Sequence, residues 1–191
     1  MQSTVALPVV SSLRVVSRVM QPSTFALFGR LGLGNGYTCL DVGCGGGDVG
    51  LELARKTAPH GTVIRVDLDP ISLELAEEEA REQSVTNVEY VVADACQVAW
   101  NAEFNLVYAR FLLTHLSNPA GAIRSFYRYL RPGGTLVVED IDFSGIRYSS
   151  CLSSISAICG PVLRRGPTPR ERPEHRIVIA NPIDRERFRP S

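Results

Sequence analysis

The run Leu40-Asp41-Val42-Gly43-Cys44-Gly45-Gly46-Gly47-Asp48-Val49-Gly50 constrains this chain most. An apolar stretch ends in closely spaced glycines, and an amphipathic stretch follows. The pattern predicts a strand, a tight turn and a helix. Glycine accepts positive φ and lets backbone approach a bulky ligand. The first N–H groups of the following helix lack intrahelical partners and point into the same space. Such a turn at the carboxyl end of a sheet is a nucleotide-type binding site.

Two patterns overlap in the run. Gly45-Gly46-Gly47-Asp48-Val49-Gly50 satisfies the G-x-G-x-x-G of dinucleotide-binding folds. Starting four residues earlier, Asp41-x-Gly43-x-Gly45-x-Gly47 leads three alternating glycines with an acid. The glycines alone leave both open. Val63-Ile64-Arg65-Val66-Asp67-Leu68-Asp69-Pro70 is a second strand ending in a carboxylate, Asp67, suited to accept bonds from both hydroxyls of an adenosine ribose. That feature supports adenosine without deciding between the patterns, and a strand-end Asp also caps loops. Asp69-Pro70 reads as a helix N-cap followed by proline at the first helical position. Val88-Glu89-Tyr90-Val91-Val92-Ala93-Asp94-Ala95 is a third strand and its exit. Phe104-Asn105-Leu106-Val107-Tyr108-Ala109-Arg110 is a fourth, with Leu113-Thr114-His115-Leu116 behind it. In Leu130-Arg131-Pro132-Gly133-Gly134-Thr135, a helix ends, Pro-Gly-Gly turns the chain and a fifth strand begins.

These motifs, in this order over residues 38–140, resemble class I S-adenosylmethionine-dependent methyltransferases. The acid-led glycines match that family's first motif, and Leu130-Arg131-Pro132-Gly133-Gly134 matches the motif before its fifth strand. The resemblance implies S-adenosyl-L-methionine as cofactor. It implies a site built from Asp41, Gly43, Cys44, Gly45, Gly47, Asp67, Leu68, Asp94, Ala95 and Arg110, with Asp94 meeting the adenine amino group. Methyl transfer is an in-line displacement in which the protein binds and orients, so no catalytic triad or resident metal is implied. Weak candidates for a catalytic group are Arg110, which also suits an acidic group or an ion pair, and His115, for which a packing role is preferred. Glu139, Asp140 and Asp142 end the fifth strand, but a metal would also call for a carboxylate where Ala109-Arg110 stands.

The expected fold is α/β: a doubly wound, mostly parallel, Rossmann-like sheet with helices on both faces and its last two strands incomplete. Residues 1–37 are expected to form a helical cap, as two short helices broken near Pro22. Residues 38–145 form the cofactor-binding core, with strands at 38–42, 62–67, 88–92, 104–108 and 134–140 and helices at 47–57, 70–83 and 118–130. A short helix near 95–99 is a further candidate. Residues 146–191 form an atypical tail, Ser-rich and then Pro- and Arg-rich. The tail reads as loop or disorder apart from one candidate strand at Arg176–Ala180, so the fifth strand is expected to expose an edge.

The 20 basic and 20 acidic residues balance, which argues against nucleic-acid binding through charge alone. No apolar run approaches the length of a membrane span. No basic stretch followed by an apolar core opens the chain, and the odd set of cysteines lacks a C-x-x-C pair, so a cytoplasmic location with reduced thiols is expected. The leading expectation is methyl transfer to a small-molecule acceptor. A methyltransferase-like chain that only binds adenosyl ligands is the second, and a nicotinamide-dependent oxidoreductase the third.

Overall fold

A computed structural model describes residues 6–45, 48–140 and 176–180. The chain divides into two compact units, Met1–Ala99 and Trp100–Ser191.

The first unit opens with helix α1 (Ala6–Leu31), which runs unbroken through Pro22. This corrects the expected break. An interior proline removes one helical N–H and costs about 3 kcal/mol. Burial of Met20, Thr24, Leu27 and Phe28 as one stripe offsets that, since a buried Leu or Phe side chain contributes roughly 1.5–3 kcal/mol. Strands β1 (Thr38–Val42), β2 (Thr62–Asp67) and β3 (Val88–Val92) follow, separated by helices α2 (Val49–Thr57) and α3 (Pro70–Glu82). The strands pair in parallel in the order β3-β2-β1. The register sets Asp41 opposite Arg65, Val42 opposite Val66 and Asp67 opposite Val92. Parallel pairing brings all three carboxyl ends to one edge.

Helix α3 starts where Asp69 accepts the N–H groups of Ile71 (3.1 Å) and Ser72 (3.3 Å), with Pro70 in its first turn. Its inward face is Leu73, Ala76 and Ala80, while Ile71 and Leu75 are exposed. The cap sets the helix phase, and the apolar residues follow it. The segment expected as a short helix near 95–99 is a turn, closed by the Asp94 side chain.

The second unit contains β4 (Phe104–Arg110), a 3-10 turn (Leu113–His115), α4 (Pro119–Tyr129), β5 (Leu130–Glu139) and β6 (Arg176–Ala180). Its strands also pair in parallel, β4-β5-β6. Phe104, Leu106, Val107, Tyr108 and Leu136 are fully or almost fully buried, and Trp100 meets Phe104 and Tyr129 edge-on. β5 begins earlier than expected. Phe104 pairs with Leu130 and Leu106 with Thr135, so Arg131–Gly134 form an irregularity within the strand rather than a turn before it. Gly133 takes φ 81° there. β6 pairs along β5 from Thr135–Arg176 to Glu139–Ala180. The candidate strand in the tail is therefore real, and the edge expected to lie exposed is covered over that length. Among the described residues no further strand follows. The rest of the atypical tail, including Asp142, lies outside the described residues. No described helix is long and apolar enough to cross a membrane.

A Cβ at Gly134 would stand 2.9 Å from the carbonyl oxygens of both Arg131 and Phe104. Neither backbone atom can move without disturbing the β4–β5 ladder. Gly134→Val is expected to destabilise the protein by about 1–3 kcal/mol, seen as a lower urea midpoint at unchanged m-value.

Candidate functional site

The carboxyl edge of the first unit is assembled from backbone outward. After Val42 the chain turns at Gly43, φ 64°, and Gly45, φ 50°. These left-handed values suit glycine. The N–H of Gly43 donates to the Val66 carbonyl at 2.8 Å, and that of Cys44 to the same oxygen at 3.3 Å. The N–H of Gly45 then donates to Asp67 Oδ2 at 2.8 Å. Asp67 Oδ1 accepts the N–H of Asp69 at 3.0 Å. The β2 carboxylate therefore fastens the glycine turn and shapes its own loop. A carboxylate offers about four lone-pair sites, so each oxygen of this half-buried group retains acceptor capacity. Beside Gly45, an added Cβ would meet nothing within 4 Å. The turn borders open space, where a ligand can approach its backbone.

The neighbouring groups face the same edge. The Ala93 N–H donates to the Asp67 carbonyl at 3.0 Å, binding the exit of β3 to that of β2. Asp94 accepts the Cys96 N–H (2.9 Å) and the Gln97 side-chain amide (2.6 Å), which fixes its carboxylate. Ala95 lies in the turn so formed. Leu68, between Asp67 and Asp69, is 70% exposed, an apolar side chain left in solvent at the strand end. Asp48 precedes α2 but makes no capping bond to it; its carboxylate accepts instead from the Ser17 hydroxyl of α1. Asp48 therefore leaves the start of α2 without a cap from its own side chain. Burial, reinforced by the charge of Asp41, pushes the Cys44 thiol far above its usual range. Cys44 is a neutral thiol at physiological pH and no thiolate nucleophile.

Of the residues singled out from sequence, Gly43, Cys44, Gly45, Asp67, Leu68, Asp94 and Ala95 meet at this edge. Gly47 lies outside the described residues. Asp41 lies in β1, one residue before its end. It is 3% exposed and turns to Arg65, whose Nε lies 3.5 Å from its Oδ2. Arg65 is the residue that sequence reasoning missed. It is fully buried, donates to the Gly45 carbonyl at 3.3 Å and lies 5.7 Å from the Tyr90 ring centre. Its signal was legible: a lone cation within an apolar parallel strand, where such strands normally carry none.

Arg110 and His115 belong to the second unit. Arg110 ends β4 with its guanidinium 5.6 Å from the Phe111 ring centre, and Phe111 takes φ 53°. A positive φ is rare for an aromatic residue. The Phe111 N–H donates to the Glu139 carbonyl at 2.8 Å, and Asp140 accepts the Leu113 N–H at 3.1 Å. His115 is exposed on the 3-10 turn rather than packed, because the turn is too short to bury all its side chains. Glu139 is buried and accepts the Tyr108 hydroxyl, which turns it from the strand end into the interior. Among the described residues no cluster of three His, Cys, Asp or Glu is arranged to hold a metal ion.

Parallel strands, a glycine turn at their carboxyl edge and a carboxylate after the second strand define a nucleotide-type α/β protein. Residues 33–159 match the family model described as a methyltransferase domain, so the chain belongs to that family, the class I S-adenosylmethionine-dependent methyltransferases with their Rossmann-like fold. It is 29% identical over 151 residues to methyltransferase GfsG of Streptomyces halstedii, covering 78% of this chain and 54% of GfsG. It is 34% identical over 115 residues to the ubiquinone/menaquinone biosynthesis C-methyltransferase UbiE of Enterobacter sp. (strain 638), covering 59% of this chain and 45% of UbiE. The chain thus spans about half the length of these relatives. Among solved structures it is similar to a Haemonchus contortus phosphoethanolamine N-methyltransferase in complex with S-adenosylhomocysteine, with TM-score 0.55 and 28% identity over 61% of this chain and 27% of that one. S-Adenosylmethionine is the cofactor of the family.

Asp69 yields a prediction about the loop beneath Leu68. The Ser72 hydroxyl, with the N–H groups of Ile71 and Ser72, holds its carboxyl below the ordinary range. A lowered folded pKa contributes stability that is present above the unfolded value, about 3.9. That contribution is lost as pH falls through the folded value. Because the carboxylate is largely exposed, solvent screens the effect. Asp69→Ala is expected to cost roughly 0.5–2 kcal/mol at pH 7, with the gap to wild type closing below pH 4 in urea titrations.

Proposed function

We propose that this chain binds S-adenosylmethionine at the carboxyl edge of β1, β2 and β3 and transfers its methyl group to a small-molecule acceptor. The observation that carries the reading is the Asp67 carboxylate, pinned by the Gly45 and Asp69 N–H groups beside the open side of the glycine turn. Pinned in this way, its remaining lone pairs suit the two hydroxyls of a ribose. Asp94 is an acceptor for the exocyclic amine of adenine, and exposed Leu68 offers an apolar surface to the base. The open backbone at Gly43–Gly45 and the start of α2 suit the amino-acid portion of the ligand.

The cofactor, when bound, supplies an electrophilic methyl group on a sulfonium. The chain's residues bind, orient and exclude water, so rate comes from placing the acceptor in line. Asp41 acts at one remove, through Arg65 beneath the turn. The small-molecule class of acceptor rests on the relatives, which include a ubiquinone/menaquinone biosynthesis C-methyltransferase and a phosphoethanolamine N-methyltransferase. A cytoplasmic site of action belongs to the same reading.

Two measurements test it. Calorimetric titration is expected to show binding of S-adenosylmethionine and S-adenosylhomocysteine, and no comparable binding of NAD. Tight NAD binding with no adenosyl-sulfur binding sinks the proposal. Asp67→Asn removes charge-assisted bonds worth roughly 1.5–3 kcal/mol each, so affinity is expected to fall about tenfold or more in a folded protein. An unchanged affinity returns Asp67 to a loop-capping role alone. Release of S-adenosylhomocysteine with a supplied acceptor then separates transfer from binding without turnover.

A further inference from the structure

Arg65 has no place in the assignments the family supplies, yet it is the largest fully buried side chain in the described structure. It sits mid-strand in β2, in register with Asp41 on β1. Its Nε faces Asp41 Oδ2 at 3.5 Å, and its terminal nitrogen donates to the Gly45 carbonyl at 3.3 Å. The other side of Gly45, its N–H, is held by Asp67. One peptide group of the turn is therefore held by Arg65, and the one before it by Asp67.

The surroundings are shaped to admit this cation. A Cβ at Gly50, in the first turn of α2, would lie 2.5 Å from Arg65 Nε, 2.6 Å from Cδ and 3.0 Å from Asp41 Oδ2. Gly50 gives up helix propensity, and the space it leaves is the space Arg65 fills. Tyr90 of β3 presents its ring to the guanidinium and anchors its own hydroxyl on the Ala76 carbonyl at 3.1 Å. A buried ion pair is a poor source of stability, because desolvation of both charges offsets their attraction. A helical glycine and a buried pair thus coincide under one turn, and what they have in common is the position of Gly45.

We propose that Arg65 is a positioning residue for the cofactor turn, holding the Gly45 carbonyl so that the Gly45 N–H and the Asp67 carboxylate meet in the ligand-binding arrangement. The proposal rests on the reading of this edge as an adenosyl site. The planar guanidinium is what the role needs, since its fork serves the Asp41 carboxylate and the Gly45 carbonyl together, whereas an ammonium is a single point.

The test compares wild type with Arg65→Lys and with Asp41→Asn/Arg65→Met. The double variant removes both charges at similar volume, so it leaves no lone buried ion. Three quantities are read: the thermal midpoint, the affinity for S-adenosylhomocysteine by calorimetry, and hydrogen exchange at Gly43–Gly45 without ligand. Midpoints near wild type are expected in at least one variant, with affinity lowered about tenfold or more and exchange at the turn accelerated. A folded variant with wild-type affinity and wild-type exchange overturns the proposal. So does a parallel loss of midpoint and affinity in both variants, which assigns the pair to fold stability alone. If wild type binds no S-adenosylhomocysteine, the adenosyl reading fails by itself. The exchange comparison then still decides whether Arg65 holds the turn.

Discussion

The register between β1 and β2 is the constraint on which the candidate site depends. It sets Asp41 against Arg65 and Val42 against Val66. Two residues further, the same alignment delivers the Gly43 N–H to the Val66 carbonyl and the Gly45 N–H to the Asp67 carboxylate. A slip of one residue would turn Arg65 to the opposite face of the sheet. It would also carry Asp67 away from the glycine turn. Because the strands are parallel, the alignment that buries Val42, Val63 and Val66 also builds the polar edge. Packing and ligand geometry are thus decided together.

Local preferences are satisfied over most of the chain and set aside around this edge. Asp69 and Asn118 cap their helices with side-chain bonds and are followed by proline, the expected chemistry of a helix start. Asp48 does not cap α2, and its carboxylate is taken by Ser17 instead. Gly43 and Gly45 adopt left-handed backbone, Gly50 sits within a helix, and a cation is buried mid-strand. In the second unit a comparable departure occurs at Phe111, directly after β4. Gly43, Gly45 and Phe111 follow the carboxyl ends of strands, while Ser84 and Ala102 take positive φ elsewhere.

Much of this was legible in the residues. The bounds of β1, β2 and β3 agree with the alternation of apolar runs and turns, because short parallel strands are marked at both ends by breakers or caps. The helix start at Pro70 was readable from Asp-Pro, and Asn118-Pro119 at the start of α4 carries the same signal. Other features were not. Pro22 signals a break, but burial of the Met20–Phe28 stripe outweighs one lost hydrogen bond. Pro132-Gly133-Gly134 signals a turn, but pairing with β4 draws it into β5 as an irregularity. Arg176–Ala180 read as an isolated strand in a polar tail, and its partner is β5.

Residues near one another in the chain suffice to give the order of strands and helices, the glycine turn and the carboxylates at the ends of β2 and β3. These depend on φ preferences, capping bonds and apolar periodicity, all of which act over a few residues. Which partner each carboxylate meets depends on long-range pairing of the strands. Asp41 and Asp67 are alike in sequence, each an acid at the end of a strand. Pairing of β1 with β2 places the first against a buried guanidinium and the second against the backbone of the turn. That difference depends on groups more than twenty residues apart meeting within hydrogen-bond distance, and no local preference of either segment encodes it.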